Sequence, residues 1–141
     1  MPEIVSNRGP LIALASIEQL DLLHELFGTV QIPPAVRSEI LDRTTLNALT
    51  GSEWVTTRAV EDDIAVELLK EELDAGENAA IILARERGAD LLLIDERAAR
   101  RKATTLRLTV IGTLGVLLMA KDRGLLPALR PWLDDLRHAG F

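Results

Sequence analysis

The chain has 141 residues, of which 48% are hydrophobic and 27% are charged, as in ordinary globular proteins and unlike a disordered chain. It contains no cysteine, which excludes disulfides, thiolate zinc sites and a cysteine nucleophile. Its net charge of −6 excludes a protein that coats nucleic acid by bulk electrostatics. No apolar run reaches the ~20 residues of a membrane span and no signal sequence is recognisable, which predicts a soluble cytoplasmic protein.

Short apolar runs alternate with helical periodicities along the chain. Pro10 is well placed to open a first helix, Gly28 ends a second, and Pro33-Pro34 separates a strand from a third. In chain order, strands are predicted at residues 3–6, 29–32, 54–57, 91–94 and 108–111. Helices are predicted at 10–16, 17–27, 35–41, 63–72, 74–87, 96–102, 113–123 and 127–138, and residues 44–51 show no clear pattern.

Strands separated by helices predict a parallel sheet with helices on both faces, in a single α/β domain over residues 1–141. The continuously apolar run at 91–94 is typical of a strand that is buried on both faces of such a sheet. Residues 127–138 are expected to turn Leu129, Trp132, Leu133 and Leu136 inward.

Ligands of open parallel sheets bind outside the carboxyl ends of the strands, so polar residues at those ends are the first candidates for a functional site. Asn7 follows the first strand, Asp95 follows the most apolar one, and Thr113 follows the last. Glu39 and Glu77 lie on helices that can face the same edge. Oxygen ligands from several elements are what Mg²⁺ or Mn²⁺ prefers, and such an ion can polarise a phosphodiester.

Each candidate also has a purely structural interpretation. Asp74 and Glu77 have the spacing of a capping box, and Asp95 and Thr113 each precede or begin a predicted helix that they could cap. Asn7 could form a turn, and Glu39 could pair with Arg43 in an exposed ion pair. Only the combination of these residues at one edge favours a metal site.

Other chemistries lack support in the sequence. There is no phosphate-binding glycine loop, and the glycines near residue 112 lack the spacing of a dinucleotide fingerprint. His24 and His138 have no catalytic or zinc-binding context and are interpreted as structural. One basic run could guide a phosphate backbone toward the acids, although a solvated helix face explains it equally simply. The run comprises Arg97, Arg100, Arg101 and Lys102.

Five blocks of the sequence, taken in order, resemble PIN-domain proteins of the small prokaryotic group DUF3368, and the resemblance covers nearly the whole chain. The blocks are residues 4–7 with 10–14, 32–36 with Glu39, 73–77 with 79–81, 91–100, and 112–117.

This resemblance implies a three-layer α/β/α sandwich with a central parallel sheet and an Mg²⁺- or Mn²⁺-dependent endoribonuclease, often the toxin of a VapC-like toxin–antitoxin pair. Such toxins are commonly dimers, and a small antitoxin covers the acidic groove. By position, the resemblance implies metal ligation and catalysis by Glu39, Glu77 and Asp95, a weak metal ligand at Asn7, and a supporting or water-positioning hydroxyl at Thr113. Residues expected to supply a dimer surface are Leu11, Ile12, Leu14, Leu20 and Leu23.

The sequence departs from the family pattern at its first site position, where Asn7-Arg8-Gly9 replaces an Asp followed by Ser or Thr. Asn7 supplies a neutral oxygen, and Arg8 adds positive charge that disfavours a cation or binds phosphate directly. Two functions therefore stay open, a metal-dependent ribonuclease and a catalytically weakened module that acts by binding a protein partner. A phosphotransfer receiver, a third alternative, lacks paired acids after the first strand.

Overall fold

The computed structural model describes residues 2–141 and is built around a five-stranded, fully parallel sheet. The strands are β1 (Ile4–Ser6), β2 (Val30–Ile32), β3 (Val55–Thr57), β4 (Leu91–Leu93) and β5 (Val110–Ile111). Their order in the sheet is β3-β2-β1-β4-β5, which places β1 at the centre. The predicted fold class, a three-layer α/β/α sandwich with a central parallel sheet, is confirmed.

Helices cover both faces of this sheet. In chain order, the first five helices are α1 (Arg8–Ser16), α2 (Asp21–Phe27), α3 (Pro34–Glu39), α4 (Arg43–Thr50) and α5 (Asp63–Leu68). The others are α6 (Ala75–Arg87), α7 (Arg97–Thr105), α8 (Thr113–Asp122) and α9 (Arg130–His138). Helix α6 packs against β1, β4, α3 and α7, whereas α8 packs against α1 and α2.

The centre of the sheet is the most deeply buried part of the fold. Every residue of β1 is buried, and so are Leu92 and Leu93 of β4, because both strands have a neighbour on each side and helices on both faces. Helix α6 is buried from Gly76 to Ala84 and ends at Gly88, which adopts the left-handed conformation with φ 59°. The sheet and α6 together fix the edge on which the candidate residues lie.

Several element boundaries differ from the sequence prediction. The segment without a clear pattern forms α4, whose first turn is capped by Asp42 through a hydrogen bond from the Thr45 amide. The second helix begins at Asp21 rather than at residue 17, because Glu18 adopts a positive φ of 58° that a helix cannot contain. Helix α9 begins only at Arg130.

Two expectations about apolar side chains were wrong. Leu133 of α9 is exposed rather than inward-facing, although Leu136 is buried as predicted. Four of the five residues expected to form a dimer surface belong instead to the core of the monomer, where the helices pack on the sheet and on each other. These are Leu11, Leu14, Leu20 and Leu23. Among residues 2–141, no helix has both the length and the apolar character needed to cross a bilayer.

Candidate functional site

The carboxyl ends of three neighbouring strands bring together three of the sequence-predicted residues. Asn7 follows β1, Asp95 lies two residues beyond β4, and Thr113 lies two residues beyond β5. The strands are in parallel register, and the Asn7 amide extends the ladder with a 2.9 Å hydrogen bond to the Leu93 carbonyl oxygen. The sheet itself therefore places these residues at one edge, as the sequence predicted from strand order alone.

Asp95 is held by two hydrogen bonds from a single residue. The Thr113 amide donates to Asp95 Oδ1 and the Thr113 hydroxyl donates to Asp95 Oδ2, both at 2.7 Å, and Thr113 is fully buried. The interpretation of Asp95 as the cap of the following helix was wrong, because Glu96 occupies that position. Thr113 is the first residue of α8, after Gly112 at the N-cap, and its hydroxyl orients a carboxylate.

Two glycines leave the space that the Asp95 carboxylate occupies. A Cβ at Gly112 would lie 2.7 Å from Asp95 Oδ1 and 2.9 Å from Arg100 Nη1. A Cβ at Gly9 would lie 3.3 Å from Asp95 Oδ2. These glycines are therefore part of the site, and Arg100 reaches toward the same carboxylate. Sequence reasoning missed both glycines, because the residues they accommodate are distant along the chain.

Glu39, the last residue of α3, has two carboxylate oxygens in different environments. Its Oε1 accepts a 2.8 Å hydrogen bond from the Gly76 amide in the first turn of α6. Its Oε2 is buried, accepts no hydrogen bond, and lies 3.4 Å from Arg8 Nη1. The predicted ion pair between Glu39 and Arg43 is not formed, so the partners of Glu39 come from α1 and α6.

Glu77 is buried at the start of α6 and forms both halves of the capping box that the spacing predicted. Asp74 Oδ1 accepts from the Glu77 amide at 2.8 Å, and Glu77 Oε1 accepts from the Asp74 amide at 3.2 Å. Burial raises the pKa of the Glu77 carboxyl, and the negative charges of Asp74 and Glu96 act in the same direction. The hydrogen bond from the Asp74 amide and the charge of Arg8 oppose this shift in the pKa of Glu77.

Asn7 is 97% buried and its side-chain oxygen has no hydrogen-bond donor. It occupies the N-cap position of α1, yet its side chain makes no capping hydrogen bond, so its interpretation as a turn former was wrong. A buried acceptor without a donor is unfavourable, and in native proteins it points to an unmet ligand or a functional strain.

The four basic residues that follow Asp95 do not form one continuous exposed surface. Arg97 and Arg101 are exposed, whereas Arg100 is half-buried toward Asp95. Lys102 is engaged in a 2.7 Å ion pair with Glu72. Two of the four predicted nucleic-acid-binding residues therefore face solvent freely.

The two histidines make contacts of the structural kind that the sequence suggested. His24 stacks on Trp54 with ring centroids 5.3 Å apart, and its Nδ1 lies 2.6 Å from the Gly28 carbonyl oxygen. His138 Nδ1 lies 2.8 Å from the Asp134 carbonyl oxygen in the last turn of α9.

The oxygen atoms at this edge are of the kind that binds a hard divalent cation, but few carboxylates lie close to one another. Asn7 Oδ1 and Glu39 Oε2 are buried oxygens with unused lone pairs, and Asp95 and Glu77 add carboxylates at the same edge. Within residues 2–141, however, no three Asp, Glu or His side chains lie close enough together to form a metal-binding group. The residues therefore fit a weakly held ion better than a tightly bound one.

The chain matches the model of a known protein family. A family model described as a PIN domain, DUF3368, matches residues 3–141, which is almost the entire chain. No curated protein matches the sequence. PIN domains have a nuclease-type fold and generally use divalent metal ions.

Proposed function

Since the chain belongs to the DUF3368 family of PIN domains, we propose that it is an Mg²⁺- or Mn²⁺-dependent endoribonuclease that cleaves single-stranded or structured RNA. The observation that carries the proposal is the pair of buried oxygens without a donor, Asn7 Oδ1 and Glu39 Oε2, at the edge that also presents Asp95. A divalent cation there would bind Asn7 Oδ1, which has no protein donor, and Glu39 Oε2, whose protein neighbour is the Arg8 guanidinium.

In this proposal the ion is held by Asn7, Glu39, Glu77 and Asp95, and it supplies Lewis acidity toward a phosphodiester. Thr113 acts through Asp95, because its amide and hydroxyl fix both carboxylate oxygens. Glu77 is the candidate for proton transfer, since burial raises the pKa of its carboxyl above the ordinary value. Arg97, Arg100 and Arg101 lie on the helix after Asp95 and are proposed to contact RNA phosphates.

Asp95→Asn is the first test of this function. We expect the substitution to abolish Mn²⁺-dependent cleavage of a fluorescent single-stranded RNA, because it removes a full charge from the proposed ligand set. The fold should persist, with a melting temperature within a few degrees, because an Asn side chain still accepts from the Thr113 amide and can donate to the Thr113 hydroxyl.

The control for that assay is Asp122→Asn, which neutralises an exposed carboxylate at the far end of α8 and should leave cleavage unchanged. Equal cleavage by wild type and Asp95→Asn contradicts the proposed function. Cleavage that persists in both proteins after metal removal by EDTA contradicts it as well.

A second candidate function is a catalytically weakened module that works by binding a protein partner. Two observations favour it: a neutral Asn at position 7, and the Arg8 guanidinium beside Glu39. Calorimetric titration with Mn²⁺ separates the two functions. No heat at millimolar Mn²⁺ supports the partner-binding module, whereas binding that is strengthened by Asn7→Asp supports the ribonuclease.

The proposed biological role is that of a toxin whose acidic edge is covered by a small antitoxin protein, in a homo-oligomer. A short open reading frame adjacent to the gene supports this arrangement under either function. Co-expression and co-purification of its product with the chain is the corresponding biochemical test.

A further inference from the structure

Arg8 stands between two acidic side chains that come from different helices. Its Nη1 lies 3.4 Å from Glu39 Oε2 and its Nη2 lies 3.8 Å from Asp74 Oδ2. Glu39 ends α3 and Asp74 caps α6, so the guanidinium links three helices across the carboxyl edge. The side chain is roughly half exposed and therefore free to leave without unpacking the core.

The position of Arg8 is unfavourable for the helix that carries it. Arg8 is the first residue of α1, and the positive end of a helix dipole disfavours a cation there. No acidic residue in the first turn of α1 offsets this charge. The compensation comes from Glu39 and Asp74, which indicates that Arg8 serves the acidic edge rather than α1.

The Glu39 oxygen that faces Arg8 is also the one that is available to a metal ion. Oε1 is fixed by the Gly76 amide, whereas Oε2 is buried and accepts no hydrogen bond. A guanidinium at 3.4 Å from Oε2 and a divalent cation bound to the same oxygen would repel each other at close range. Arg8 in this position therefore weakens the binding of a divalent cation to Oε2.

We propose that Arg8 is a built-in counter-cation that competes with the divalent ion for Glu39, so that metal binding requires Arg8 to leave the carboxylate. This inference rests on the proposed function only in placing the ion at this edge. It predicts that the wild-type protein binds metal more weakly than its acidic side chains allow. Asn7 contributes to the same outcome, because it adds an oxygen without a charge.

Arg8→Gln is the principal test, with calorimetric titration of Mn²⁺ alone and no RNA present. We expect up to about fivefold tighter Mn²⁺ binding than in the wild type, because the ion no longer has to displace Arg8 from its half-exposed ion pair with Glu39. Arg8→Lys keeps the positive charge but cannot contact two carboxylates with separate guanidinium nitrogens, so its Mn²⁺ affinity should lie between those of the wild type and Arg8→Gln. The double variant Arg8→Gln/Glu39→Gln should lose the increase.

The matched control is Arg37→Gln. Arg37 lies on α3 two residues before Glu39 and forms no ion pair with Glu39 or Asp74. Its substitution therefore removes the same charge from the same region without removing a contact to either acid. Its Mn²⁺ affinity should stay within about twofold of the wild type. Circular dichroism of each variant establishes that the fold is retained, and Arg8→Lys provides the comparison if Arg8→Gln does not fold.

The outcomes separate this inference from the proposed ribonuclease function. Tighter Mn²⁺ binding by Arg8→Gln without any RNA cleavage supports the role of Arg8 and contradicts the ribonuclease. RNA cleavage by the wild type with unchanged or weaker Mn²⁺ binding by Arg8→Gln overturns the role of Arg8. An equal increase in Arg37→Gln also overturns it, because net charge alone then explains the effect.

Discussion

The residues of the candidate site are of two kinds: some have side-chain oxygens that accept hydrogen bonds from protein donors, and others have a side-chain oxygen that accepts none. Asp95 accepts from Thr113 with both oxygens, whereas Asn7 Oδ1 and Glu39 Oε2 accept from no donor. A charged carboxylate at position 7 would be buried without a donor, which costs far more than burying a neutral amide. When no cation is bound at this edge, burying a neutral Asn at position 7 therefore costs less free energy than burying an ionised Asp there.

Glu77 makes the stability of the protein depend on pH in a direction opposite to that of most carboxylates. Burial raises the pKa of Glu77, so the folded protein holds this proton more tightly than the unfolded chain. The resulting stabilisation is complete below the pKa of the unfolded chain and is lost as the pH rises through the folded pKa. Glu77→Gln cannot ionise, so it should become more stable relative to wild type as the pH rises from about 4 to 7.

Urea unfolding of both proteins across that range, in EDTA, measures the difference. Glu71→Gln, which removes a charge from an exposed side chain, controls for a general effect of net charge. A difference between Glu77→Gln and wild type that stays constant or shrinks as the pH rises contradicts the raised pKa of Glu77.

At the level of elements, two helices direct their N-termini at the acidic side chains. The Gly76 amide at the start of α6 binds Glu39, and the Thr113 amide at the start of α8 binds Asp95. The amides of a helix N-terminus and its partial positive charge favour a nearby carboxylate, so α6 and α8 help to hold Glu39 and Asp95 in place. The glycines at positions 76 and 112 make the close approach possible.

Gly76→Ala tests the contact between α6 and Glu39. A Cβ at position 76 overlaps the Glu39 carboxylate, so the hydrogen bond from the amide should be lost. We expect the free energy of unfolding to fall by about 1–3 kcal/mol, although alanine in an unobstructed helix position stabilises by about 0.5–1 kcal/mol. Urea denaturation measures the change.

Gly51→Ala is the control for that experiment. Its backbone φ is −87°, and the nearest heavy atom to a new Cβ lies 3.9 Å away, so no clash arises. The free energy of unfolding should stay equal or rise slightly. If Gly76→Ala is as stable as Gly51→Ala, then Glu39 does not occupy the space beside Gly76.

Elements that bury a continuous apolar face were predictable from the sequence, and elements fixed by a local backbone feature were not. The run at 91–94 and the capping box at 74–77 led directly to β4 and α6. Helix α4 lacks a strong apolar pattern and depends on its Asp42 cap, and the late start of α2 depends on the positive φ of Glu18. The periodicity of apolar residues reveals neither a side-chain cap nor a positive φ.

The candidate site was predictable in its location but not in its connections. Strand order places Asn7, Asp95 and Thr113 at one edge because parallel strands end together. The partners of Asp95 and Glu39 lie 18 and 37 residues away along the chain, so capping by sequence neighbours was the natural but wrong alternative for Asp95. Only tertiary packing determines which helix N-terminus each carboxylate meets.

The charge of the whole molecule sets how strongly it can attract a polyanion. A net charge of −6 repels RNA, so the proposed RNA binding would depend on the few cations beside the acidic edge. Arg97 and Arg101 are exposed on α7, whereas Arg100 is half-buried and lies beside Gly112, as Asp95 does. Under the proposed ribonuclease function, the protein would hold RNA through few phosphate contacts, so the dependence of its RNA affinity on salt concentration would be shallow.

The salt dependence of RNA binding follows from this charge distribution. With about three phosphate contacts, the logarithm of the association constant should fall with the logarithm of salt concentration with a slope of about −2 for a single strand. Arg100→Gln should reduce the magnitude of the slope by about 0.7. Fluorescence anisotropy with a labelled RNA in EDTA measures the slope without cleavage.

Lys121→Gln is the matched control for that measurement, because Lys121 is exposed near the far end of α8. It should leave the slope unchanged. An equal reduction in Lys121→Gln and Arg100→Gln, or no reduction in either, contradicts RNA contact at α7.

The double hydrogen bond between Thr113 and Asp95 also has a consequence during protein synthesis. Asp95 is synthesised before Thr113, and until β5 pairs with β4 the Asp95 carboxylate has neither of its donors. The acidic edge is therefore assembled only after translation has reached the C-terminal part of the chain. A nascent chain that stalls or terminates before that point presents Asp95 without the hydrogen bonds that orient it, and so carries no finished site.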